Sequence, residues 1–192
     1  MKICLIAAFL ATISASAQTE PTTPPAHLFH DTRHGVSFQI PAGWNFTRKD
    51  SDLSTFSLDA RTAPRNAQMR AVANIAFNPF PASTFSGALF YFSVAPHTTE
   101  AECREQASHA AAPVSIDGVS FAHGSDEHGT ICTEARSDIY TALRNNSCYR
   151  FDLVINTFCG GEVSGVHDIT PQQIDAVRKR LESILSTVSF DR

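Results

Sequence analysis

"ALFYFSV", residues 88–94, is the stretch that decides the fold. In an extended chain its apolar side chains fall on both faces, so water must be kept from both sides of the strand they form. A sheet built around it needs one layer above and another below. "GVSFQIPAGW", residues 35–44, alternates Val36, Phe38 and Ile40 and then breaks at Pro41 and Gly43. Proline presets φ and glycine permits a tight turn, so the chain reverses there and lays Trp44, the only tryptophan, over the sheet as a core plug. A lone indole beside a turn can also serve as a stacking platform, which makes Trp44 a candidate ligand contact. "LSTFSLDA", around Phe56 and Leu58, reads as another strand. So does "MRAVANIAF", with Met69, Ala71, Ala73, Ile75 and Phe77 on one face. "NPFPASTFSG" reads as the loop that leads into the central strand.

The covering layers come from two helices. "TTEAECREQASHAAAP" places Thr99 and Glu102 at capping-box spacing, with Pro113 as the stop. Its apolar residues are mostly alanine, which lets a helix lie close on a sheet. "TPQQIDAVRKRLESILSTV" has Thr170 as N-cap, Pro171 at the first helical position and Gln173 completing a second box. Ile174, Val177, Leu181, Ile184, Leu185 and Val188 form its apolar stripe. Arg178, Lys179 and Arg180 face outward as a solvated surface.

Between the helices lies a long hairpin. "GTICTEARSDIYTAL" and "SCYRFDLVINTFC" flank Asn145-Asn146, a pair that tolerates the left-handed conformation of a tight turn. Cys132 and Cys159 stand equally far from that turn, so a straight hairpin sets them opposite each other. This favours Cys132–Cys159, and then Cys103–Cys148, among the three connectivities of four cysteines. The apolar alternation of the two strands suits a different parity, however, and one bulge would shift the register.

The chain has 192 residues and a formal net charge of −4. No basic patch invites nucleic acid or an anionic membrane surface. Lys2 precedes the apolar run "ICLIAAFLATI" and the small-residue stretch "SASA", the order of a signal peptide cleaved near Ala17. The run is shorter than the about 20 residues that span a bilayer, and Cys4 lies before the cleavage site, so no membrane anchor is expected. The expected location is secreted or periplasmic. Residues 1–17 are read as the signal peptide, 18–29 as a flexible Pro/Thr-rich tether containing "QTEPTTPPA", and 30–192 as a single domain. Four remaining cysteines in an oxidising compartment are read as two structural disulfides.

Histidine carries the candidate chemistry. "HGSDEHG" places His123, Asp126 and His128 within a short polar stretch, and a glycine-flanked loop could fold them around zinc or copper, with His167 and Asp168 approaching from a later loop. The plain alternative is a polar hairpin loop without a cofactor. His30 and His34 share helical spacing, but Gly35 and the strand after it argue against a helix there. No G-x-S-x-G, no H-E-x-x-H and no glycine-rich phosphate loop occurs. The expectation is an exported, non-catalytic binding or accessory domain whose partner is a protein or a small ligand. A metal-binding protein and a hydrolase or thiol enzyme are the alternatives.

The layout resembles the PsbP and Mog1 superfamily. The resemblance rests on "GVSFQIPAGW" at 35–44, "VSIDGVSF" at 114–121, "SCYRFDL" at 147–153 and "LESILSTVSF" at 181–190. It implies an α+β fold, an α/β/α sandwich whose mostly antiparallel sheet is flanked by helices. It also implies an accessory role, since members include extrinsic subunits of photosystem II and a regulator of a nuclear GTPase. No functional residue of a relative can be matched onto this chain.

Overall fold

A computed structural model describes residues 23–49, 56–109, 111–160 and 165–191; the leader at 1–17 lies outside them. In chain order the elements begin with β1 (His27–Asp31), β2 (Val36–Ile40), β3 (Trp44–Thr47), α1 (Phe56–Asp59) and β4 (Gln68–Ile75). Then come β5 (Phe85–Pro96), α2 (Glu100–Glu105), β6 (Val114–Ile116), β7 (Val119–Thr130) and β8 (Thr133–Arg144). The chain closes with β9 (Ser147–Phe158), α3 (Pro171–Leu185) and β10 (Ser189–Phe190). Seven strands form one antiparallel sheet in the order β3-β4-β5-β9-β8-β7-β6, and three form a small sheet in the order β1-β2-β10.

The central strand behaves as its composition demands. On one side of the large sheet, Phe90 and Phe92 of β5 pack with Phe151 of β9, Phe29 and Phe38 of the small sheet, and Val177, Leu181 and Ile184 of α3. On the other side, Leu89 and Tyr91 pack with Val72 and Val154 beneath Phe56 of α1, while Ala95 meets Cys103 of α2. The result is an α+β sandwich with a mostly antiparallel central sheet. Its outer layers are uneven: α3 shares one with the small sheet, and the other consists of two short helices and their connections. Arg70 Nε of β4 donates to Asp31 Oδ2 of β1 at 2.7 Å and ties the two sheets together. Burial alone would raise the Asp31 carboxyl, but the bond and charge of Arg70 outweigh it and hold the carboxyl below its ordinary range.

The turn at Pro41–Gly43 carries the chain from the small sheet into the large one. Gly43 has a φ of +87°, and its N–H donates to the Pro24 carbonyl. Trp44 follows at 3% exposure inside the main core, so the platform role falls and the core-plug role stands. Order also starts earlier than expected. β1 begins at His27 and Phe29 is fully buried, which moves the start of the domain back from residue 30.

Three strand and helix expectations are revised. Residues 56–59 form a single helical turn, with Phe56 turned inward against Tyr91 and Leu58 exposed, where an extended strand would have put both on one face. A bulge between Met69 and Ala71 splits the expected face of β4. Ala71, Ala73 and Ile75 face α3, Met69 packs on the opposite side, and Phe77 lies beyond the strand end. α2 keeps its capping box but ends at Glu105. Beyond it the Gln106 carbonyl accepts from Thr62 Oγ1, and the chain then lies along β7, with Ser125 N–H donating to the Ser108 carbonyl at 2.8 Å. That approach needs Gly124, since a Cβ there would stand 2.1 Å from the Ser108 oxygen.

The long hairpin runs in register without a bulge from Arg144↔Ser147 to Thr133↔Phe158. Asn145 and Asn146, at φ 47° and 56°, make the tight turn. Both favoured disulfides are present, Cys132–Cys159 with Cα atoms 4.5 Å apart and Cys103–Cys148 with Cα atoms 5.3 Å apart. α3 has its expected caps and buries Val177, Leu181, Ile184 and Leu185.

Candidate functional site

The stretch "HGSDEHG" is part of strand β7, not a loop, and this decides the fate of the metal expectation. Successive side chains of a strand point to opposite faces. His123 therefore faces the α3 side, where its ring stacks on Tyr140 at 4.3 Å and its Nε2 lies 3.6 Å from Asp138 Oδ1. Burial, with the charges of Asp138 and Glu182, pushes the Tyr140 phenol up to about 12. Asp126 and His128 face the other side. The set of His123, Asp126 and His128 is thus split by the sheet, and among the described residues no group of three His, Cys, Asp or Glu could hold a metal ion. His167 is held elsewhere, pairing its backbone with Ala82 and Thr84.

On the face that carries Asp126 and His128 a cleft opens. His128 sets Nδ1 3.0 Å from Asp126 Oδ2 and donates from Nε2 to the Leu58 carbonyl at 2.8 Å, so β7 clasps α1 through one imidazole. Beneath α1 lies a hollow of about 440 Å³ lined mostly by carbon. Its walls come from four distant segments: residues 57–61, Ser86, the β7–β8 hairpin from His128 to Ala135, and Asn156 with Thr157 of β9. A second hollow of about 420 Å³ adjoins it, sharing His128, Gly129, Thr133, Glu134 and Thr157 and reaching the Cys132–Cys159 disulfide. Two apolar side chains stand out here: Leu58 on the wall and Ile131 at the hairpin tip, 67% and 95% exposed. The turn holding Ile131 is fixed by Cys132, at φ 64° and disulfide-bonded.

The polar side chains around the cleft are largely spent on one another. Asp59 accepts from Tyr91 Oη at 2.8 Å. On the opposite face of the sheet, with Ile155, Arg136 bridges Glu127 at 3.1 Å and Glu134 at 2.5 Å. What remains is a carbon-lined hollow, an arrangement suited to holding a molecule. A thiol nucleophile has no residue in the domain, because Cys103, Cys132, Cys148 and Cys159 are all in disulfides.

Sequence reasoning singled out Asp126 and His128 but missed Leu58, Arg61, Ala135 and Asn156. The stretch "HGSDEHG" was the one local signal, and its His128 and Gly129 line the cleft.

No family model matches the sequence, and no curated protein matches it either. The fold is similar to that of a cyanobacterial PsbP. This similarity is to the solution structure of PsbP (CyanoP) from Synechocystis sp. PCC 6803, at 10% identity and a TM-score of 0.47, covering 92% of this chain and 99% of that one. A crystal structure from Bacteroides thetaiotaomicron VPI-5482 is similar at 12% identity and a TM-score of 0.45. That match covers 82% of this chain and 46% of the other, so the chain spans about half the length of that protein. The likeness is one of overall architecture and brings no residue's role with it.

Proposed function

We propose that the protein is an exported, non-catalytic binding domain whose ligand site is the cleft between α1 and the β7–β8–β9 end of the large sheet. The carrying observation is the carbon-lined hollow of about 440 Å³, whose volume lies within the about 300–1,000 Å³ typical of small-molecule sites. Exposed Leu58 at its wall supports the same reading, because it adds apolar surface that a molecule in the hollow would take out of water. The pairing of His128 with Asp126 on one ring nitrogen and with the Leu58 carbonyl on the other favours holding over turnover, since both nitrogens are taken up by the protein. Two disulfides fit an oxidising compartment, and the leader read in the sequence accounts for export.

A neutral, environment-sensitive apolar dye titrated into the oxidised chain tests this. Its fluorescence should rise and saturate, and Leu58→Asp should weaken binding by about tenfold while the thermal midpoint stays in place, because Leu58 is exposed. Ser86→Trp, another exposed wall position, should block the dye in the same way. Saturable binding that ignores both substitutions, or none at all, would reject the cleft as the site.

A further inference from the structure

We infer that Cys132–Cys159 is a thiol-exchange site: a bond that an external dithiol reduces while the domain stays folded, and whose opening loosens the rim of the cleft. The two disulfides differ in access. Cys103 and Cys148 are 2% and 0% exposed, closed in between α2 and the sheet, whereas Cys132 and Cys159 are both exposed. Both of the exposed cysteines line the hollow of about 420 Å³ beside the cleft, which gives an attacking thiolate a way in. Exchange runs in two displacements. One thiolate of the dithiol attacks the sulfur of one cysteine, the Cys132–Cys159 bond breaks, and the other cysteine leaves as a thiolate that takes a proton from water. The second thiol of the dithiol, having given its proton to water, attacks the mixed disulfide and releases the remaining cysteine, which is protonated in turn. Two electrons and two protons have then passed to the protein, and the dithiol is left as its own disulfide.

The same bond holds a turn that its residues disfavour. Thr130 and Thr133 close a two-residue hairpin loop, Ile131-Cys132, in which only Cys132 is left-handed, at φ 64°. The turns that match strand twist put the first of the two central residues at positive φ, and a left-handed second residue favours glycine. Cutting the disulfide frees Cys132 to leave that conformation, and the cleft walls at the ends of the turn, Gly129, Thr133 and Glu134, are loosened with it. This effect on the rim rests on the cleft being the ligand site; the exchange does not.

The test holds the oxidised full chain in excess dithiothreitol without denaturant, quenches samples with N-ethylmaleimide and maps the labelled cysteines by peptide mass spectrometry. Cys132 and Cys159 should be labelled together, at least about tenfold faster than Cys103 and Cys148, which must wait for α2 to lift. Trp44 fluorescence should meanwhile stay that of a buried indole. Labelling of all four at one rate, of Cys103 and Cys148 first, or of any only as Trp44 becomes exposed overturns the exchange site. The rim is read with the neutral dye. Its affinity should fall about threefold in the double variant Cys132→Ser, Cys159→Ser and return in Cys132→Gly, Cys159→Ser, because glycine takes the left-handed position without a disulfide. Equal affinity of the two variants, or weaker binding by the glycine one, overturns the effect on the rim. Failure of the dye to bind the oxidised chain overturns the cleft and that effect together, while the exchange site is decided by the labelling alone.

Discussion

Asp152→Ala should cost the protein about 3–5 kcal/mol of stability, the largest loss from any single substitution considered for this fold. Asp152 and Arg150 stand two apart on β9 and so share the face under α2, where they are 0% and 1% exposed. Arg150 grips the carboxylate from both Nε, at 3.0 and 2.9 Å, and Nη2, at 2.6 Å. Alanine at 152 would leave the guanidinium charged, dry and held only by a long contact to the Gln106 carbonyl at 3.5 Å. The penalty is that of an unpaired buried charge, not the net worth of the pair. A control separates the two: Arg150→Met with Asp152→Leu together should lose much less than Asp152→Ala alone, since apolar residues of similar volume remove both charges at once. Chemical denaturation of the three proteins reads this directly. A double variant less stable than the single one would show that the pair stabilises the native state outright.

Replacing Cys103 and Cys148 together with alanine should cost about 4 kcal/mol, the loop-closure value for a sequence separation of 45 residues. Cys148 lies fully buried on β9 and Cys103 on a helix of only six residues. A helix that short has little stability of its own, so the disulfide and the capping box together keep α2 on the sheet. The loss should therefore appear as early hydrogen exchange of α2 and the adjoining Ala107–His109 segment before the sheet opens. Cys132–Cys159, with a separation of 27, closes a smaller loop at a hairpin already in register, and its removal should cost somewhat less. If the two removals cost the same and α2 exchanges only with the whole fold, the role assigned to the first disulfide is wrong.

Much of the fold was legible because its strongest signals are local. Asn145-Asn146 sets a tight turn, and that turn alone aligns Cys132 with Cys159. The parity conflict in the same hairpin has a physical cause. Arg136 and Asp138 share the face of Ile155 and Leu153, yet they lie toward the outer strands and are paired there with Glu127 and Arg178. Their polarity marks a position in the sheet, not a shift of register. α3 was readable in full because one helix carried its own caps and stripe. α2 was overextended because alanine favours a helix locally, while the backbone bonds from Ser108 and Ala111 to β7 are tertiary and leave no trace in the sequence.

The site was hardly legible at all. A polar, glycine-flanked stretch resembles a loop, but an outer strand can be equally polar, and "HGSDEHG" is such a strand. Once it is a strand, the alternation of its side chains puts His123 on one face and Asp126 with His128 on the other. The cleft itself joins Leu58, Ser86, His128 and Asn156, residues brought together only by the sheet order β5-β9-β8-β7 and by the single turn of α1 laid across it. No spacing rule could have linked them.

A photoreactive benzoylphenylalanine in place of Leu58, expressed in the cells that make the protein, puts the binding cleft to its most direct test. After irradiation, mass spectrometry of the intact chain should show a discrete added mass on this protein. The same group in place of Leu28, equally exposed but on the small outer sheet, should give none. An adduct at position 28 but not at 58, or at neither, would contradict the assignment of the cleft beneath α1 as the place where this protein meets its ligand.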